Sequence, residues 1–203
     1  MYKPPKFVEN DTARLHALIT DYPFATLLTV EKGAPIVSHL PFLVDTSHGE
    51  LGILRCHMAR ANPQWQQFAE DEVQVLFQGP HAYVSPTWYA SGPALSTWNY
   101  AVVHAFGVPR VLDADAALDL VHDMVAEFDA APADAWPMDD VSRKFRLGMI
   151  DHVVAFEIPI ARLEGKYKMS QNRPPEDRPR IVAALSASDD PLASATAGLI
   201  RTD

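Results

Sequence analysis

The chain has 203 residues, 17 Lys and Arg against 26 Asp and Glu, and a net charge of −9. That length fits one domain, or one plus a small appendage, and the balance of 48% hydrophobic to 21% charged residues is that of a folded globular chain. The acidic balance argues against a general polyanion binder, because nucleic-acid affinity rests on many phosphate-neutralising cations. The single cysteine, Cys56, excludes an intrachain disulfide framework and a cysteine-built zinc site. MYKPPKFVEND has no apolar signal core, and no apolar run nears the ~20 residues that span a bilayer. The expectation is a cytoplasmic protein with no membrane partner.

In chain order, Asn10 or Asp11 caps a first helix with a Leu15, Leu18, Ile19 stripe, which Pro23 stops. Two β-rich runs, roughly 24–30 and 35–44, flank Glu31-Lys32-Gly33 and predict an antiparallel hairpin. A turn at Thr46–Gly49 leads to a third strand, Glu50 to His57. Asn62 and Pro63 then open a short helix, and a strand at 73–79 follows. The stretch 98–112 holds another strand. Asp113 or Asp115 opens a helix with Leu118, Val121, Met124, Val125 and Phe128 on one face. Residues 130–140 read as a loop and 151–163 as a further strand. The tail from about 174 reads as helical. Adjacent antiparallel strands with peripheral helices predict a single mainly β domain over 1–203. About six strands close it into a small barrel, which removes sheet edges.

Val73 to Pro109 contains no Asp, Glu, Lys or Arg and holds Tyr83, Trp88, Tyr89, Trp98, Tyr100 and Phe106. One reading is a core strand with a packed loop. The other is a loop, roughly 80–97, buried against a second subunit, since interfaces are depleted in charge and rich in aromatics.

Four segments carry chemistry. In His57-Met58-Ala59-Arg60-Ala61-Asn62-Pro63 a strand ends, a cation follows and a capped helix begins. Such a helix start with a guanidinium suits a phosphate; the alternative is a plain cap and a solvated Arg60. Along the second strand, Ser38 and Leu40 share one face and His39 takes the other, with Pro41 next. These residues either line a planar ring or form an ordinary strand with one partly buried histidine. Ser96-Thr97-Trp98-Asn99-Tyr100 with His104 offers stacking surfaces and neutral donors, or interface packing. Lys166-Tyr167-Lys168-Met169-Ser170-Gln171-Asn172-Arg173 offers cations and neutral donors, or a solvated loop. There is no glycine-rich phosphate loop, HExxH or GxSxG. Cys56 and His57 point to opposite faces of a strand, so Cys56 reads as buried and structural. No two histidines stand at helical i, i+4 spacing, and no metal site is expected.

PFATLLTV, SHLPFLVD, HMARANPQW, GPHAYVSPTWY, STWNYAVVHAFG and RLEGKYKMSQNR occur in this order. From about residue 1 to 185 the chain resembles the PaiB family of FMN-binding negative transcriptional regulators. That family looks like a branch of the flavin split-barrel proteins, relatives of pyridoxamine phosphate oxidase. Ser96 stands where a proline often precedes TWNY, and Tyr167 and Met169 replace the usual Trp and Leu around Lys168. The resemblance implies a six-stranded antiparallel split barrel, a homodimer and FMN in clefts at the dimer interface. It implies that Ser38, His39, Leu40 and Pro41 line the isoalloxazine ring. His57, Met58, Ala59, Arg60 and Asn62 would serve the phosphate and ribityl chain, with Arg60 the phosphate cation. Trp98, Asn99, Tyr100, Lys168, Ser170 and Gln171 would close the site, from either subunit.

Two functions stand open: an FMN-binding regulator or redox sensor, and a flavin-dependent oxidoreductase acting on a small substrate. No helix-turn-helix pattern is present, and the cations of 162–180 are interleaved with Glu164, Glu176 and Asp177. Direct DNA binding is therefore not expected. His39, His57 and His104 are the candidates for proton transfer in an oxidoreductase.

Overall fold

A computed structural model describes residues 1–68, 71–92, 94–129 and 142–202. The predicted loop at 130–140 lies outside them. The chain divides into two units: Met1–Tyr22, Phe77–His104 and Glu164–Asp203 form the first; Pro23–Leu76 and Ala105–Leu163 form the second.

In the first unit, β1 (Val8–Glu9) pairs antiparallel with β10 (Arg162–Lys168), and β7 (Thr97–Gly107) and β6 (Val73–Val84) follow in order. α1 (Thr12–Asp21) starts where Asp11 Oδ1 accepts from the Ala13 and Arg14 amides, and it buries Leu15, Leu18 and Ile19 as the periodicity requires. Glycines under the helix let it sit close. A Cβ on Gly79 would stand 2.8 Å from Leu18 Cδ1, and one on Gly165 would collide with Leu15 and lie 2.6 Å from the Glu9 carbonyl. The tail forms α4 (Asp177–Ser186) and α5 (Pro191–Leu199), which bury Ile181, Leu185, Ala193 and Ala197.

In the second unit, β2 (Phe24–Glu31) and β3 (Ala34–Pro41) form the expected hairpin. Lys32 at φ 52° and Gly33 at φ 83° give the left-handed pair that a two-residue turn needs between right-twisted strands. β2 also pairs with the first residues of β6. A four-stranded sheet runs β4 (Leu43–Asp45), β5 (Ile53–Ala59), β9 (Val153–Pro159), β8 (Arg110–Val111). Phe42, Leu54, Cys56, Met58, Phe156 and Ile158 fill its core at 2% exposure or less. α2 (Ala114–Phe128), capped by Asp113, packs with α3 (Arg143–Ile150) on this sheet.

Three expectations need correction. The strands number ten and none of the ladders closes among the described residues. The predicted strands 98–112 and 151–163 each divide into two strands that join different sheets, and β1, β3, β4 and β8 are left as edge strands. The helix after Asn62 is a five-residue 3₁₀ turn, Pro63–Gln67. On α2 the buried stripe is Ala117, Leu120 and Met124; Leu118 and Val121 are half-buried and Phe128 is exposed. The fold remains mainly β and antiparallel with peripheral helices. No helix among the described residues is long and apolar enough to cross a membrane.

Candidate functional site

The expected site residues fall into two groups, one in each unit. In the second unit, β3 alternates as expected: Ser38 and Leu40 are half-buried and His39 is exposed. His39 Nδ1 lies 3.1 Å from Thr26 Oγ1, its partner across the hairpin. Asn62 Nδ2 donates to Ser38 Oγ at 2.8 Å, so residues 24 apart in sequence meet. Asn62 also acts as the cap, its Oδ1 accepting from the Gln64 amide at 3.0 Å.

β5 alternates too. Met58 is 2% exposed and packs in the core, so its backbone is what it can offer a ligand. His57 takes the opposite face, with Nδ1 3.3 Å from Met124 Sδ. Burial pushes its pKa below the ordinary histidine value, so the ring is neutral at pH 7. His57 and Pro41 line an open hollow of about 460 Å³ with Val121, Met124, Val125, Phe128 and Asp129. The Pro41 carbonyl accepts from Cys56 Sγ, and Cys56 is fully buried, with its thiol pushed above the ordinary range by that burial.

Arg60 follows the exposed Ala59. Its guanidinium donates from Nε to the Asp151 carbonyl and from Nη2 to the Val153 carbonyl, both at 2.7 Å. Its backbone N–H donates to the His152 carbonyl at 2.9 Å. Arg60 thus clamps the end of β5 to the turn before β9, a job the sequence does not reveal. Nη1 keeps its N–H groups without a protein partner among the described residues. The predicted set of free helix-end amides is not found: Asn62 already occupies the Gln64 amide, and so short a turn has little dipole.

In the first unit the two motif segments bind each other. Lys168 Nζ donates to the Trp98 carbonyl at 2.6 Å and to Thr97 Oγ1. Asn99, wholly buried, donates from Nδ2 to Ser170 Oγ at 2.8 Å, and that hydroxyl lies 3.2 Å from Asn99 Oδ1. This pair holds Ser170 at φ 61°, a conformation that non-glycine residues seldom adopt. Gln171 closes its own turn, accepting from the Met169 amide and donating to the Tyr167 carbonyl, both at 2.6 Å. Asn99, Ser170 and Gln171 therefore spend their side chains on the scaffold. Trp98 stays 52% exposed, with the His81 and Tyr83 rings 5.7 and 6.2 Å away. Tyr100 and His104 follow it on the same face of β7. Burial lowers the pKa of His104. Burial also lowers that of Lys168, with Lys166 adding to it.

Sequence reasoning missed Gln64, and missed the burial of two residues it named, Lys166 and Asp177. Gln64 is wholly buried; its Nε2 donates to the Ile36 carbonyl and Thr29 Oγ1, both at 3.1 Å, while Oε1 has no partner among the described residues. Lys166 is 8% exposed; the Lys-Tyr-Lys alternation on a strand was the available signal, because it puts both lysines on one face. Asp177, fully buried, meets Arg173 at i, i+4 spacing, a pattern legible in the sequence.

The donor set fits FMN. The unpartnered Nη1 edge of Arg60 suits a phosphate, and the exposed Trp98 ring suits stacking. Gln64 Oε1 is a buried acceptor still in need of a donor such as a water or a ring N–H. When bound, FMN supplies the redox chemistry, and the chain supplies binding and electrostatics.

Comparison with known proteins agrees. The family model described as "Putative FMN-binding domain" matches residues 1–162. The protease synthase and sporulation protein PAI 2 of Bacillus subtilis is 32% identical over 202 residues, covering 99% of this chain and 97% of that protein. Two solved structures share the fold. The FAD- and haem-binding protein of Mycobacterium smegmatis has a TM-score of 0.63 at 18% identity, covering 79% of this chain and 73% of that one. The flavocytochrome Anf3 of Azotobacter vinelandii has a TM-score of 0.62 at 15% identity, covering 79% and 69%. The fold is thus that of the flavin split barrels, and the chain is a member of the FMN-binding PaiB family.

Proposed function

We propose that this chain is a cytoplasmic FMN protein of the PaiB type, a single functional domain over 1–203 that acts as a regulator or redox sensor. The observation that carries the FMN reading is Arg60: its backbone-facing edge is anchored on two carbonyls, and its Nη1 edge is left to a ligand. FMN takes its phosphate there, with Ser38–Pro41 and His57–Asn62 along the ring and ribityl chain. Trp98–Tyr100 and Lys168–Gln171 of a second copy close the site, Asn99, Ser170 and Gln171 acting through the backbone they hold. The hollow under His57 favours a second reading, a flavin-dependent oxidoreductase whose small apolar substrate sits beside that neutral imidazole. Anaerobic reduction of the bound flavin followed by reoxidation by candidate substrates separates the two. A substrate-specific reoxidation rate supports the enzyme, and none supports the sensor.

The homodimer is supported by uncharged exposed surface. Trp98 and Tyr83 are 52% and 47% exposed in the first unit; Phe24, Val30 and Val37 are 68%, 62% and 47% exposed in the second. Light scattering at micromolar concentration is expected to give twice the chain mass, and a stable monomer would remove the two-copy site.

Regulation through direct DNA contact is not part of the proposal. With 26 acidic against 17 basic residues, a duplex is repelled overall. α3 does carry Arg143, Lys144 and Arg146, which the sequence reading passed over, but three cations neutralise few phosphates. The purified protein is expected to shift no duplex specifically in a gel assay. Tight, steeply salt-dependent binding to a defined operator would restore direct regulation.

A further inference from the structure

Trp98 and Tyr100 alternate along one face of β7, and Lys166 and Lys168 alternate along one face of β10, the strand beside it. Lys166 Nζ lies 5.2 Å from the centre of the Tyr100 ring and 5.5 Å from that of Tyr2. Lys168 Nζ is fixed on the Trp98 carbonyl and Thr97. The Tyr100 and Tyr2 rings thus meet the Lys166 ammonium, and Trp98 and Lys168 stand next along the same faces of the two strands.

The charge there is uncompensated. Lys166 is 8% exposed, yet neither lysine forms an ion pair among the described residues, in a chain with an excess of carboxylates. Glu164, the acid nearest along the strand, is 3.6 Å from Lys3. Burying an ammonium without an anion is costly, and cation–π contact with tyrosine rings offsets only part of that cost. Two neighbouring ammoniums also repel, which is seen in Lys168: burial lowers its pKa and Lys166 lowers it further. A ligand bearing a negative charge would relieve both costs, and the rings beside the cations favour a flat one.

We propose that Lys166, with Lys168, Tyr100 and Trp98, binds an anionic group carried on a planar ring. The inference rests on the reading of Trp98–Tyr100 and Lys168 as facing the ligand, and it adds Lys166 as the charge that selects it. The anionic ring is that of a small aromatic acid separate from FMN, whose oxidised ring is neutral and whose phosphate is assigned to Arg60.

Benzoate is the probe, titrated into the cofactor-free and FMN-loaded full-length protein and followed by tryptophan fluorescence, beside an FMN titration. Lys166→Met is expected to weaken binding of benzoate by about tenfold or more, the scale of one lost charge-assisted bond. Lys166→Arg, which keeps the charge, should stay near wild type, whereas a purely structural role for the methylene stem would leave Lys166→Met unchanged as well. Thermal unfolding of both variants verifies that they are folded. If FMN alone responds to Lys166→Met, the lysine serves the cofactor and the aromatic-acid site is overturned. If benzoate still binds the loaded protein, the ligand is a separate acid. Benzoate binding without any FMN binding would sink the flavin reading and leave this site standing. Unchanged affinity for both probes in a folded Lys166→Met protein would overturn it.

Discussion

Replacing Arg60 with alanine is expected to weaken FMN binding by about ten- to a hundredfold while riboflavin, which lacks the phosphate, loses much less. A charge-assisted hydrogen bond contributes roughly 1.5–3 kcal/mol, and ~1.4 kcal/mol is a tenfold change in affinity. The structure changes what the variant does to the fold. As a solvated cation, Arg60 would add little to stability. In place, its Nε and Nη2 hold the carbonyls of Asp151 and Val153, so alanine also frees the turn before β9 from the end of β5. The residue is exposed, so that loss falls to the scale of an ordinary hydrogen bond, about 1 kcal/mol. Arg60→Lys separates the two effects. A lysine keeps the charge and loses the planar fork that serves two carbonyls and a phosphate at once. It should bind FMN better than the alanine variant yet melt below wild type. Equal losses for FMN and riboflavin in the alanine variant, or no loss for FMN, would show that the phosphate sits elsewhere.

What could be read in the sequence was local. Asp11 before a Leu15, Leu18, Ile19 stripe fixes α1, and Lys32-Gly33 between two β-rich runs fixes the hairpin, because cap and turn chemistry act within a few residues. The extent of β6 was hidden. Gly79-Pro80 argues against a strand interior, yet the strand continues to Val84 because Leu18 of α1 packs on Gly79, a contact of long sequence separation. The site was legible as motifs and illegible as bonds. TWNY and KMSQ stand out in the chain, but nothing in either shows that Asn99 and Ser170, 71 residues apart, satisfy each other while Trp98 faces solvent. The same holds for Arg60. The sequence presents a cation before a capped turn; only the fold shows that half of its guanidinium is already engaged.

Replacing Asp177 with alanine is expected to cost about 3 kcal/mol of stability, the lower end of what breaking a buried charged pair costs. The carboxylate is wholly buried where α4 begins. Its Oδ1 accepts from the Ala90 and Ser91 amides at 2.7 and 3.0 Å, and its Oδ2 from Ser91 Oγ at 2.8 Å and from Arg173 Nε and Nη2 at 2.9 and 2.6 Å. Arg173 in turn lies over the Tyr89 ring at 3.9 Å. One acid thus ties the segment between β6 and β7 to the tail helices, and removing it strands a cation and two amides. Burial alone would raise the Asp177 pKa; the bonds from Ser91 and Arg173 overcome it and hold the group at about 2, against 3.8 for an ordinary aspartate. A folded-state pKa below the unfolded one means stabilisation that is fully present above pH ~4 and is lost as pH falls through about 2. Asp177→Asn keeps the shape without the charge. Urea midpoints at pH 7 should therefore fall in the order wild type, asparagine, alanine. Between pH 4 and pH 2 the wild type should lose stability more steeply than Asp177→Asn, so that their midpoints converge. Wild type and Asp177→Asn with equal midpoints at pH 7 and parallel acid transitions would show that the carboxylate charge does not hold this segment in place.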